Sequence, residues 1–117
     1  MIAPAAGVWI VVYRRPVDFR RGMDGLAALV QQALRESPFA GGLFVFRAKR
    51  ADRVKIVYWD GTGLCLFHKR LEKGRFVWPP MQDGTIRLSA AQLGLLLEGL
   101  DWSRVQPKPV IAPLSAA

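Results

Sequence analysis

Nine basic side chains fall between Arg47 and Arg75, against three acidic ones. Arg47, Lys49, Arg50, Arg53 and Lys55 come first, and Lys69, Arg70, Lys73 and Arg75 follow after a gap. Cationic groups at that density neutralise phosphates and release the counterions condensed on a polyanion, and an arginine fork also fits the edge of guanine in a major groove. The same charges would equally solvate strand ends and keep a small protein soluble. Placement must separate the two, because phosphate contact needs the two groups side by side on an open surface.

Other residue types offer less. A two-metal nuclease site needs clustered carboxylates, and Asp18, Asp24, Asp60, Glu72, Asp83, Glu98 and Asp101 are present without a spacing that gathers them. Cys65 and His68 stand three apart, which on a strand puts them on opposite faces, so a thiol nucleophile paired with an imidazole base is not expected. One cysteine and one histidine are too few for a structural zinc site, and no internal disulfide is possible. Neither a Walker lysine motif nor a dinucleotide-type glycine loop is present. No metal and no cofactor are expected.

These groups are carried by a chain of 117 residues that is 51% hydrophobic and 22% charged, which is enough for one domain with a real core. The formal net charge is +8 and the sequence pI about 10.6, so polyanions are the natural partners. The excess lies in the middle: Met1–Phe46 carries five basic residues against three acidic, and the stretch from Phe76 onward balances. The apolar start, Met1–Val12, is broken by Pro4 and Gly7 and falls short of the roughly 20 residues a bilayer span needs. Arg14 and Arg15 follow that stretch instead of preceding it, unlike a secretory signal, and a cytoplasmic protein away from membranes is expected.

Local pattern then supplies the scaffold. Val8–Tyr13 is rich in β-branched and aromatic residues and reads as a buried strand ended by Pro16. Asp24–Arg35 places Leu26, Leu29, Val30, Ala33 and Leu34 on one helical face, stopping at Ser37-Pro38. Leu43–Arg47 and Val54–Trp59 form a hairpin across the basic connection, and the Asp60-Gly61-Thr62-Gly63 turn leads into a third strand, Leu64–His68. Lys69–Gly74 reads as a turn, Phe76–Trp78 as strand-like before Pro79-Pro80, and Thr85–Leu88 as a short extended run. Ser89-Ala90-Ala91-Gln92 has capping-box chemistry and starts a helix of about ten residues, with Leu93, Leu96, Leu97 and Leu100 on one face and Gly99 as its terminator. The expected fold is α/β (α+β): a small, mostly antiparallel sheet with two helices covering one face. Residues 1–102 form the single domain, and 103–117, with Pro107, Pro109 and Pro113, form an extended tail.

Aromatic residues Phe44, Phe46, Tyr58, Trp59, Phe67, Phe76 and Trp78 could stack on unpaired bases. Their alternation with Val54, Ile56, Leu64 and Leu66 argues for one hydrophobic core face instead, leaving Trp59 and Trp78, beside turns, as the two candidates for stacking.

Four ordered blocks resemble a known family: Asp18-Phe19-Arg20-Arg21-Gly22-Met23-Asp24-Gly25-Leu26, Leu43-Phe44-Val45-Phe46-Arg47, Lys55 through Leu66, and Lys69-Arg70-Leu71-Glu72-Lys73-Gly74-Arg75-Phe76. The chain resembles the TnpB accessory protein, from the second reading frame, of the insertion-sequence-sixty-six transposon family. The resemblance spans about Val8–Trp102, including the Leu-Glu-Gly-Leu-Asp-Trp ending. It implies a non-catalytic protein needed for transposition beside a separate, larger transposase that carries the catalytic acids. The expected partners are then DNA at transposon ends and that transposase, with a homodimer as a further expectation from pairing of sheet edges. The expected DNA contacts are Arg20, Arg21, Arg47, Lys49, Arg50, Arg53, Lys55, Lys69, Arg70, Lys73 and Arg75. Two alternatives stand beside this reading. One is an adaptor that docks the transposase through an exposed apolar face of the Ser89–Leu100 helix and an aromatic edge. The other is a metal-dependent nuclease working through Asp60 or Glu72.

Overall fold

A computed structural model describes residues 9–105. The expected tail therefore falls, from residue 106 on, outside the described residues. Ile10–Tyr13 forms β1 and Leu43–Arg47 forms β2, and the two run parallel with Val11 beside Phe44. The crossover between them contains α1, Met23–Gln32. β3, Arg53–Trp59, and β4, Leu64–Arg70, complete an antiparallel meander with β2. β5, Thr85–Arg87, returns antiparallel to β1 at the far edge, giving the order β4-β3-β2-β1-β5. The fold is α+β with a mostly antiparallel sheet, and the last element is α2, Ala90–Leu97.

The helices cover opposite faces of the sheet, not one. Leu26 and Val30 of α1 pack with Val11, Phe44, Phe46 and Val57. On the other side Leu93, Leu96 and Leu97 of α2 pack with Ile10, Val12, Leu43, Val45, Val54 and Ile56. The cause is visible in β1 and β2, whose residues are apolar at consecutive positions rather than alternate ones, so both faces need cover. The aromatics sort accordingly. Phe44 and Phe46, with Leu64 and Leu66, face α1, whereas Tyr58 and Phe67 side with Val54 and Ile56 under α2. Full burial of residues such as Leu26 and Leu96 stabilises the fold by about 1.5–3 kcal/mol each.

Element ends have local causes. Ser89 accepts from the Gln92 amide at 3.1 Å while Gln92 Oε1 accepts from the Ser89 amide at 2.9 Å, so the capping box forms. Gly99 adopts φ +75° past the end of α2, in the left-handed region where a side chain is disfavoured. α1 stops at Gln32, three residues short of the helix expected from the pattern, because Arg35 itself takes φ 52° and the Glu36 amide bonds back to the Val30 carbonyl at 3.2 Å. Asp60 Oδ1 accepts from the amides of Thr62 and Gly63, both at 2.9 Å, closing the β3–β4 turn. Phe76–Trp78 is irregular instead of a strand. The Phe76 amide and the Trp78 indole both donate to the Ala51 carbonyl, at 2.9 and 3.1 Å, and the Trp102 indole donates to the Val77 carbonyl at 2.6 Å.

Candidate nucleic-acid interface

The two basic stretches meet through their backbones. The Leu71 amide donates to Asp52 at 2.9 Å and the Phe76 amide to Ala51 at 2.9 Å, which lays the turn after β4 along the β2–β3 loop. Lys49, Arg50, Lys73 and Arg75 are exposed on these joined loops, and Arg70 is exposed at the end of β4. Arg53, at the start of β3, is partly covered, with its Nε 3.6 Å from Asp52 Oδ1. Arg50 lies 3.9 Å from the other Asp52 oxygen and stays largely open to solvent. Arg20 and Arg21, at the entrance to α1, are also exposed.

Three nominated cations have other work. Arg47 is 7% exposed, donates from Nη1 to the Pro79 carbonyl at 3.3 Å and lies over the Trp78 ring at 5.3 Å. Its pKa is lowered by burial, the expected direction for a desolvated cation. The reason lies in β2, where Arg47 shares the α2 side with Val45 across from Val54, so its stem is enclosed by core. Lys55 is 6% exposed, and its ammonium donates to the carbonyls of Phe19 at 2.8 Å and Arg21 at 3.0 Å, lashing the entrance of α1 to β3. Lys69 donates to the Leu97 carbonyl at 2.7 Å, closing the C-terminal end of α2, where a cation is favoured. Neither Arg47 nor Lys55 belongs to the open surface.

Two shallow depressions flank Arg53. One, of about 350 Å³, is bordered by Pro16, Phe19, Arg20, Lys49 and Arg50. The other, of about 280 Å³, lies between Arg53, His68, Arg70 and Glu72. At the first, Asp18 receives the Arg20 guanidinium at 2.6 Å, and that hydrogen-bonded contact holds its carboxyl down at about 2. At the second, His68 meets Phe19 edge-on at 5.8 Å. Burial of that side of the ring, then the positive field of Lys55, Arg53 and Arg70, pushes the imidazole below its ordinary pKa. Sequence reasoning passed over His68 as a binding group, although counting outward from the Asp60–Gly63 turn places it beside Lys55.

The aromatic candidates divide as well. Phe44, Phe46 and Phe76 are core, and Trp78 is held between Ala51 and Arg47. Trp59 is half-buried and meets Phe39 edge-on at 5.6 Å, with Phe39 51% exposed. Leu93, Leu96 and Leu97 are at most 2% exposed, so that face of α2 is core and not a docking surface, whereas Leu100, expected on the same face, lies past the end of the helix and is 53% exposed. Several of the carboxylates have structural partners: Asp60 shapes its turn, Asp83 pairs with Arg15, and Asp101 accepts from the Ser103 amide at 2.9 Å. Among the described residues no three His, Cys, Asp or Glu side chains gather in a way that could hold a metal ion. Cys65 and His68 lie on opposite faces, since Phe67 between them sides with α2 and Leu66 with α1.

A family model described as IS66 Orf2 like protein matches residues 8–107. The chain belongs to that family. Membership carries an accessory role in transposition of insertion sequences, which accords with the four sequence blocks that lie within the match. Relatives include an uncharacterized protein, y4jC, of Sinorhizobium fredii (strain NBRC 101917 / NGR234), 52% identical over the whole of both chains. A second uncharacterized protein of the same strain, y4hO, is 46% identical over 85% of this chain and 84% of its own length. No solved structure matches. Among the described residues of this IS66 Orf2-like protein, no helix is long and apolar enough to cross a membrane.

Proposed function

We propose that this IS66 Orf2-like protein is a non-catalytic accessory factor that binds DNA at the ends of its transposon and assists a separate transposase there. One observation carries the reading: the β2–β3 loop and the turn after β4 are hydrogen-bonded into a single ledge whose outer side chains are Lys49, Arg50, Lys73 and Arg75. Arg53 and Arg70 extend that ledge toward the entrance of α1, where Arg20 and Arg21 stand. These groups would neutralise phosphates, while Arg47 and Lys55 are spent on the Pro79 carbonyl and on the entrance of α1. The site is a cytoplasmic one in this reading, where the element's DNA is found.

The test is a titration of purified protein against labelled transposon-end duplex, scrambled duplex and the matching single strand, repeated across a salt series. With about half of the open cations engaged, log affinity should fall with log salt at a slope of about −4. Replacing Arg50 and Arg53 together by Ala should make that slope shallower by about 1.8 without unfolding the domain. An unchanged slope would sink the assignment of the ledge.

The adaptor reading keeps one favourable observation, the exposed Phe39 ring against Trp59. Phe39→Ser would then abolish capture of the transposase while leaving DNA affinity intact. Loss of neither would remove the aromatic edge from consideration.

A further inference from the structure

The β3–β4 hairpin sets basic side chains directly opposite one another. Arg53 pairs in register with Arg70, and Lys55 with His68, and alternation along the strands places all four side chains on the α1 side of the sheet. Facing like charges destabilise a strand pair, so such a ladder persists where something offsets it. Lys55 is offset within the fold by the Phe19 and Arg21 carbonyls. Arg53 is offset only in part: Asp52 is 3.6 Å away, and its buried Nε has no hydrogen-bond partner among the described residues. Arg70 has no ion pair among them. Between Arg53, His68 and Arg70 the surface sinks into a depression of about 280 Å³. A conflict between local charge and global fold is what a binding site leaves behind when the ligand supplies the missing charge.

We propose that this depression holds one phosphate group of the nucleic-acid backbone between Arg53 and Arg70, and that His68 takes up a proton from solvent as the phosphate enters. The inference rests on the DNA-binding reading and deepens it. Two guanidinium forks and an imidazole N–H suit a tetrahedral oxyanion with several acceptor oxygens. Facing His68 are Lys55 and Arg53 from β3, Arg70 from its own strand, the Phe19 ring from the segment before α1 and, at the rim, the Glu72 carboxylate. Burial and then the three cations disfavour a positive charge on the ring in the free protein, in keeping with its lowered pKa. An arriving phosphate cancels that field, so the second ring nitrogen gains its proton on binding. The folded, unliganded state has the lower pKa and the complex the higher one. Binding is therefore strongest below both values and weakens as pH rises through the interval between them.

His68 is the single histidine of the chain, so its Hε1 proton resonance reports the site without assignment ambiguity. That resonance is followed across about pH 5 to 8 in the free protein, with added sulfate and with a transposon-end oligonucleotide. Sulfate and phosphodiesters keep their charge over the range, so any pH dependence belongs to the protein. The expected result is an upward move of the His68 midpoint with both ligands, and an affinity that strengthens by up to about tenfold per pH unit as pH falls through the two midpoints. His68→Gln should bind with the pH dependence removed, and Arg70→Gln, an exposed change, should abolish the sulfate-induced move. A midpoint that stays in place with sulfate and with saturating oligonucleotide overturns the site, while the measured DNA affinity leaves the accessory-factor reading standing. A move with sulfate but not with bound oligonucleotide overturns the backbone assignment and leaves a site for small anions. Absence of any DNA binding, with the sulfate response intact, refutes the wider reading and its phosphodiester ligand together.

Discussion

Arg47 gives the sharpest test of sorting cations by burial, because charge alone nominates it for DNA and its surroundings withdraw it. In the folded protein it is 7% exposed, spends Nη1 on the Pro79 carbonyl at 3.3 Å and lies 5.3 Å from the centre of the Trp78 ring. Its Nε is buried with no hydrogen-bond partner among the described residues. A charge-assisted hydrogen bond contributes about 1.5–3 kcal/mol and a desolvated cation–π contact about 2, whereas an unsatisfied buried donor costs about 1–3 and the guanidinium's desolvation more. Arg47→Met keeps most of the volume and removes both sides of that balance, so stability should change by no more than about 1 kcal/mol. Arg47→Ala also opens a cavity beside Trp78 and should cost about 3 kcal/mol, lowering Tm by about 12–15 °C for a domain of this size. Tryptophan fluorescence during urea unfolding measures the first quantity, and a DNA titration across salt measures the second. Neither variant should alter the salt slope while folded. A slope shallower by about 0.9 in Arg47→Met would mean that the guanidinium reaches a phosphate, and the burial argument would be wrong.

Other consequences are simpler to check. Lys69→Met removes the donor from the Leu97 carbonyl and should cost about 1 kcal/mol in urea unfolding, with the salt slope unchanged. Ser89→Ala breaks the capping box and should also cost about 1 kcal/mol, read as a lower urea midpoint at constant m. Arg35→Gly relieves the φ of 52° and should raise stability by about 0.5–1 kcal/mol; a loss instead would mean that the Arg35 side chain is needed where it stands. Asp18 has a folded pKa of about 2 against an ordinary 3.8, so its contribution is complete above the ordinary value and disappears as pH falls through about 2. Asp18→Asn should flatten that part of the acid-unfolding curve, and an unchanged curve would refute the Asp18–Arg20 contact.

Much of the scaffold was legible because its signals are local. The capping box at Ser89, the Asp60–Gly63 turn and the Gly99 terminator each act within a few residues, and each forms as its residue types require. What escaped is tertiary. Alternation in Phe44, Phe46, Val54 and Ile56 looks the same whichever way two neighbouring strands face, and only their pairing reveals that the first two point to α1 and the last two to α2. The end of α1 was misread because the residue that leaves the helix is an arginine, with none of the conformational preference that marks a glycine. The placing of both helices on one face failed for a related reason: continuous apolar strands ask for two covers, and a count of helices does not say where they go.

The site shows how far charge in a sequence can be carried toward chemistry. Proximity of the two basic stretches follows from the meander, but the fate of each cation depends on strand parity. Arg47 and Lys69 lie in register with Val54 on the α2 side, so one is enclosed by core and the other reaches the last carbonyls of that helix. Arg53, Lys55, His68 and Arg70 lie on the other side, where α1 covers the middle of the sheet and leaves this end uncovered except by the loop that Lys55 holds. Glu72, on the rim of that end, offers a control on the sign of the field. Glu72→Gln removes an exposed negative charge that faces the same depression as Arg70, so sulfate and DNA should both bind more tightly. Weaker anion binding in this variant would contradict an electrostatic site at Arg53, His68 and Arg70, because no cation has been lost.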